Sequence, residues 1–208
     1  MQNKERESTR IINKAIIYEG YGAELGKTKF VRENASGRLT IVAIGNPSEA
    51  LPAAIELVEE GAELIELCGY IPIIWKLRIL QAVGDKAKVS SVTFGIESLL
   101  LAAAFSKSYQ EEKPPREAYI FLEKGSNPDT DRFEKAFGFQ HTTFIPVPDE
   151  AAGGKVAAEL AESGFGLIEL YGGFTTAGAA RVIEAAAGRA AVGVGSFTLE
   201  ETSILIHN

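Results

Sequence analysis

Short apolar runs rich in β-branched residues alternate with helix-period patterns through the first half of the chain. Ser48 is a candidate N-cap for a predicted helix near residues 47–60. Gly61 is a candidate C-terminal end for that helix, and Gly84 for the next one, near 73–83. We also expect a short helix within residues 26–34. The pattern predicts strands near 14–18, 39–44, 63–67 and 88–94, and further helices near 47–60, 73–83 and 96–110.

A charged segment with paired prolines, residues 111–116, precedes a second half with the same order of elements. Residues 53–70 reappear as 156–173 at an offset of 103, with ten of the 18 aligned pairs identical. Random pairing would give roughly one identity. The chain is therefore predicted to be a tandem duplication, with residues 1–113 and 114–208 as its two βα halves.

Strict alternation of strands and helices predicts parallel strands joined by helical crossovers, and hence an α/β fold. Four strands from each half make eight, which favours a compact TIM-barrel-like closed barrel. The short final segment, 198–208, leaves little room for an eighth helix. The alternative is a pair of open α/β sheets packed as an internal pseudo-dimer.

Composition restricts the possible partners and compartments. The net charge is -7 and the pI is about 5.0, so the chain gains no electrostatic help in binding nucleic acid or an anionic membrane. Neither a secretory signal nor an apolar stretch of about 20 residues is present, so we expect a cytoplasmic protein. The single cysteine, Cys68, excludes an internal disulfide, and the histidines show no metal-ligand spacing.

Glu66 and Glu169 are the leading candidates for catalysis. Each lies in Leu-Ile-Glu-Leu near the carboxyl end of a predicted strand that is covered on both faces. A carboxylate there is costly without a partner or a wet cavity, so both side chains are predicted to be buried and to have a partner. One interpretation is an acid/base pair. The other is a structural carboxylate that caps a loop or pairs with Arg78 or Arg181.

The glycine-rich segment 171–178 is the leading candidate for binding a ligand. It joins a predicted strand to a helix, whose N-terminus favours an anion. The matching segment of the first half is bulky and apolar, so we expect the better site in the second half. An ordinary turn is the alternative. The candidate ligand-binding residues, including Ser196 after the last predicted strand, are Gly172, Gly173, Thr175, Thr176, Arg181 and Ser196.

Two resemblances bear on these residues. The string from Ile168 to Phe174, followed by Gly178 and Arg181, resembles the I-E-L-C-G-G-F signature of small bacterial proteins. Those proteins have about 100 residues and no assigned function, so the resemblance implies two fused units. Residues 61–67 are similar to a strand of the tryptophan synthase alpha subunit. That similarity implies a barrel with Glu66 as the acid/base.

Three functions remain open. The chain could bind a small anionic metabolite at the strand carboxyl ends, as a lyase or isomerase that uses Glu66 or Glu169. It could be a non-catalytic binding or sensing domain, or a structural assembly unit. We predict no cofactor, no metal, no nucleic-acid partner and no membrane partner, and a homo-oligomer is possible. Cys68 is interpreted as a small buried residue rather than as a nucleophile.

Overall fold

The computed structural model describes residues 12–34 and 37–195, which form a mixed α/β protein with two sheets. Two short 3₁₀ turns, Pro47–Glu49 and Gly84–Lys86, flank helices of the first half. The helices are Ala50–Glu59 (α1), Ile73–Val83 (α2), Leu99–Gln110 (α3), Glu150–Glu162 (α4) and Thr176–Ala186 (α5). The strands are Lys14–Glu19 (β1), Lys29–Asn34 (β2), Gly37–Ile44 (β3), Leu64–Leu67 (β4), Lys88–Ser91 (β5), Thr93–Phe94 (β6), Glu117–Leu122 (β7), Phe133–Phe137 (β8), Gln140–Val147 (β9), Leu167–Tyr171 (β10) and Ala191–Val194 (β11).

The two sheets repeat one topology, as the duplication predicts. The first has the order β2-β3-β1-β4-β5, and the second has the equivalent order β8-β9-β7-β10-β11, extended at its edge by β6. Within each sheet four adjacent strands are parallel, β3-β1-β4-β5 in the first and β9-β7-β10-β11 in the second. The hairpin strand, β2 or β8, is antiparallel to its neighbour. The strand β6 comes from the first half but pairs with β11 of the second, so one chain segment joins the halves.

The closed barrel favoured by the sequence is not found in the described residues, and two open sheets stand in its place. The reason lies in the connection from β1 to β3. The predicted short helix at 26–34 is wrong, because this segment forms the strand β2. Without a helix there, β3 and β4 lie on opposite sides of β1, an order that cannot close in sequence around a barrel.

Helices cover one face of the second sheet, and the first half covers much of the other. Ala118 and Ile120 of β7 pack with α4 and α5, whereas Tyr119 and Phe121 of the same strand join the core of the first half. The ring of Tyr18 lies edge-on to Tyr119, with centroids 5.6 Å apart. Period-two alternation therefore gives β7 one helix-facing side and one side facing the other sheet.

Local signals fix several helix ends. Asn46, rather than the predicted Ser48, accepts a backbone hydrogen bond at the start of the turn before α1. Asp149 caps α4 by accepting from the N–H of Ala152, at 2.7 Å. Gly61 follows α1 with a φ of +92°, which glycine adopts without strain.

No helix in the described part of the chain has both the length and the apolar character needed to span a bilayer.

Candidate active site between the two halves

Glu66 and Glu169 occupy equivalent positions, and each accepts a hydrogen bond from the opposite half. The N–H of Gly172 donates to Oε2 of Glu66 at 3.0 Å, and the N–H of Gly69 donates to Oε1 of Glu169 at 3.0 Å. Gly69 and Gly172 are themselves related by the 103-residue offset. The arrangement is a reciprocal exchange, so each glutamate site draws on both halves of the chain.

The predicted burial of both glutamates is confirmed. Glu66 is 3% exposed and Glu169 is 2% exposed. Each has a hydrogen-bonding partner, as predicted, but neither is paired with Arg78 or Arg181. Both accept from a backbone amide of the other half, and Glu169 also accepts from the hydroxyl of Tyr171. The guanidinium of Arg78 lies over the ring of Trp75, 4.3 Å from its centroid, and Arg181 is exposed on α5.

The surroundings of Glu66 give its carboxyl group the properties that proton transfer needs. Burial raises the pKa of Glu66 to about 7, while the Gly172 amide and the positive charge of Lys14 partly oppose that rise. Its second oxygen, Oε1, is buried and has no hydrogen-bond partner among the described residues. A carboxyl with one oriented oxygen, one oxygen without a partner and a pKa near neutrality can both take up and release a proton.

Glu66 lines a small crevice between the halves. The volume is about 40 Å³, room for roughly three water molecules or one carboxylate-sized group. Lys14 and Arg38 of the first half and Gly172 of the second also line it. The neighbouring residue Glu123 is paired with Arg32, whose Nε and Nη2 lie 3.0 and 2.7 Å from its carboxylate oxygens. Two cationic side chains, Lys14 and Arg38, thus line the same crevice as Glu66, whose carboxyl has a pKa of about 7.

Glu169 lies in a more acidic setting. Burial and, to a smaller extent, the neighbouring Glu117 together raise the pKa of Glu169 to about 8, against hydrogen bonds from Tyr171 and Gly69. Burial also raises the pKa of Glu117 to about 7, although Thr142 and Gln140 donate to its Oε1. At the offset of 103, Glu117 replaces Lys14. This exchange of charge makes the two related sites electrostatically different.

The glycine-rich loop of the second half is divided between two roles. Gly172 and Gly173 have φ values of +83° and +91°, and Gly172 turns its amide toward Glu66. Thr175 instead caps α5, because its Oγ1 accepts from the N–H of Gly178 at 3.1 Å. The carboxylate of Glu150 accepts from both the N–H and the hydroxyl of Thr175, at 2.6 and 3.0 Å. An internal carboxylate therefore occupies the helix N-terminus at which we expected an external anion.

The remaining predicted ligand-binding residues lie apart from the crevice or beyond the described residues. Thr176 and Arg181 are exposed on α5, and the aliphatic part of Arg181 lies against Gly154 of α4. Ser196 lies outside the described residues.

Cys68 is a buried free thiol, and burial raises its pKa well above the ordinary value. Across residues 12–34 and 37–195, no group of three or more acidic, cysteine or histidine side chains could hold a metal ion.

Sequence reasoning missed Lys14, Arg38 and Glu117. All three are charged residues at or near the start of strands, and nothing in the sequence pattern singled them out as candidates. The exchange of Lys14 for Glu117 is visible in the repeat alignment. It could have drawn attention to this position, because charge reversal in a repeat marks a position where the two copies meet different surroundings.

These observations define a class: a duplicated two-sheet α/β protein with two related glutamate–amide sites, each built from both halves. The chain belongs to the Family of unknown function (DUF6506), whose sequence model matches it twice, over residues 12–107 and 115–205. The double match shows that the chain is a tandem duplication of one domain of this family. No curated protein and no solved structure shows a significant match to the chain.

Proposed function

We propose that the chain binds the anionic group of a small metabolite in the Glu66 crevice and transfers a proton there. The observation that carries this proposal is the placement of buried Glu66 beside Lys14 and Arg38 in one opening between the halves. The cations attract a carboxylate or phosphate group, and the crevice admits a group of that size.

Proton transfer is supported by the state of Glu66. Near pH 7 the ionised and neutral forms coexist, so the same side chain can remove a proton and return it. That chemistry suits an isomerase or lyase acting on a carbon close to the bound anionic group. The two open α/β sheets then form an internal pseudo-dimer, whose interface supplies the site.

Binding is tested by calorimetric titration with phosphate and small dicarboxylates. Lys14→Gln should weaken binding at least tenfold, which corresponds to about 1.4 kcal/mol, because one of the two cations is removed. Lys27→Gln is the matched control, since Lys27 is exposed and pairs with Glu24 away from the crevice. Equal binding by the parent and Lys14→Gln would reject the crevice as the anion site.

Catalysis is tested separately by incubating the protein with small carboxylic acids in D₂O. Mass spectrometry should show deuterium entering a carbon-bound position with the parent and not with Glu66→Gln. The variant keeps an oxygen that accepts from Gly172 but removes the titrating group. Anion binding without deuterium incorporation would support a non-catalytic binding domain instead.

A further inference from the structure

A larger cavity lies beside the second glutamate, under the helix α3. Its volume is about 290 Å³, against about 40 Å³ for the crevice at Glu66. A cavity of about 150 Å³ is enough for benzene, so this one has room for one or two fused rings. Residues of α3 line this cavity, whereas no helix of the described second half lines the crevice at Glu66.

The walls are largely apolar and are held by packing on several sides. Ala102, Phe105 and Ser106 of α3 line the cavity at positions i, i+3 and i+4, and therefore on one helix face. Phe105 is 4% exposed and packs in a cluster with Leu167 of β10. Phe94 of β6 also lines the cavity. Residues from both halves thus fix its shape.

Polar groups are few and grouped on one side. Glu169 lines the cavity, with Oε1 held by the N–H of Gly69 and Oε2 held by the hydroxyl of Tyr171. Tyr70 and Ser106 also line the cavity, and their hydroxyls lie 3.4 Å apart. No lysine, arginine or histidine is among the residues that line the cavity.

This cavity and the crevice at Glu66 differ in the charge of the residues around them. Where the first half has Lys14, the second has Glu117, and the counterpart of Arg38 is His141, which is exposed. The pKa of Glu169 is raised to about 8, so its carboxyl is mostly neutral at pH 7. Titratable neighbours on the adjoining strands and loop, Glu117, Tyr119, Tyr171 and Cys68, add no positive charge. An anion would enter without a compensating cation.

We propose that this cavity is a second binding site, for a small neutral molecule with one or two rings and one hydrogen-bonding group directed at Glu169 or Ser106. The aromatic and aliphatic walls take up the ring, and the hydroxyl and carboxyl groups orient its polar group. This site is independent of the anion crevice, so it stands or fails separately from the proposed function.

Calorimetric titration with indole at pH 6.5 tests the proposal on the full chain. The parent should bind indole, and Ala102→Phe, which fills the cavity from α3, should lower the affinity at least tenfold. Ala103→Phe is the matched control, because Ala103 is exposed on the same helix and does not line the cavity. Its affinity should stay within about twofold of the parent, and Lys14→Gln should leave indole binding unchanged.

Two further measurements keep the result decisive if Ala102→Phe fails to fold. Benzyl alcohol should bind the parent at least about tenfold more tightly than benzoate, because the charged molecule finds no cation in the cavity. Indole should shift the backbone amide NMR signals of Gly69 and Ser106. Absence of indole binding, equal binding by parent and folded Ala102→Phe, a preference for benzoate, or shifts confined to other residues would each overturn the proposal.

Discussion

Two buried tyrosines on the inner face of the sheets differ in whether the hydroxyl has a hydrogen-bond partner. Tyr18 and Tyr171 are both fully buried. The hydroxyl of Tyr171 donates to Glu169, whereas the hydroxyl of Tyr18 has no hydrogen-bond partner among the described residues. Burying a hydroxyl without a partner costs free energy that burying a phenylalanine ring does not.

Replacement by phenylalanine should therefore separate the two tyrosines. Tyr18→Phe should leave the free energy of unfolding unchanged or raise it by up to about 1 kcal/mol, since only an unsatisfied group is lost. Tyr171→Phe should lower it by about 1–2 kcal/mol, because Glu169 loses a donor. Urea denaturation at pH 6.5 measures both. A larger loss for Tyr18→Phe than for Tyr171→Phe would contradict this assignment.

At the residue scale, the sequence predicted that both glutamates are buried and have a hydrogen-bond partner, but not which groups contact them. Glu66 and Glu169 stood out because a carboxylate inside an apolar strand needs a compensating contact. The partners, Gly172 and Gly69, could not be predicted, because each lies about 100 residues away and acts through its backbone amide. The sequence pattern of a strand does not specify which other sheet its inner face contacts.

The N-terminus of α5 is the element whose role changed most between sequence and structure. Its glycine-rich approach predicted an anion site, and the structure places the carboxylate of Glu150 there. Pro47, at the equivalent position of the first half, has no carboxylate, and α2 begins after Pro72 without a side-chain cap. The internal carboxylate is thus specific to the second half.

Removing that carboxylate should have two effects. Glu150→Ala should lower the free energy of unfolding by about 1–2 kcal/mol, because the start of α5 loses a charged hydrogen-bond acceptor. It should also add a second phosphate site to the one proposed at Glu66, since the Thr175 amide becomes open to an external anion. Calorimetry and urea denaturation check these effects, with exposed Glu162→Ala of α4 as the control. If Glu150→Ala is as stable as the parent and binds no more phosphate per chain than the parent does, this role for Glu150 is wrong.

Periodicity predicted all five described helices to within a few residues, but not what each one covers. Ile73 of α2 is 73% exposed although its helical pattern is apolar. The strand β2 was mistaken for a helix because Lys29 to Asn34 mixes charged and apolar residues without strong alternation. Pairing with β3 decides its state, and pairing is a long-range property.

At the scale of the whole molecule, three buried carboxyls couple stability to pH. The pKa values of Glu66 and Glu117 are raised to about 7, and that of Glu169 to about 8, from an ordinary value of 4.5. Between these limits the folded protein holds more protons than the unfolded chain. Linkage then requires the free energy of unfolding to fall as pH rises from about 5 to about 8.

Glu66→Gln should make this fall shallower. The glutamine keeps an acceptor for Gly172 but never ionises, so a contribution on the order of 3 kcal/mol no longer varies with pH. Urea denaturation at pH 5, 6.5 and 8 measures the change, and Glu162→Gln should follow the parent. Stability that rises from pH 5 to pH 8 in the parent would show that the buried carboxyls do not dominate this range.

The most direct measurement of the central claim is an NMR pH titration of the amides of Gly172 and Gly69. If each half holds the glutamate of the other, the Gly172 shift should titrate with a midpoint of about 7 and the Gly69 shift with a midpoint of about 8. Glu66→Gln should abolish the first transition and Glu169→Gln the second. Amide shifts that stay flat from about pH 5.5 to 9, or transitions that persist in these variants, would contradict the reciprocal glutamate sites.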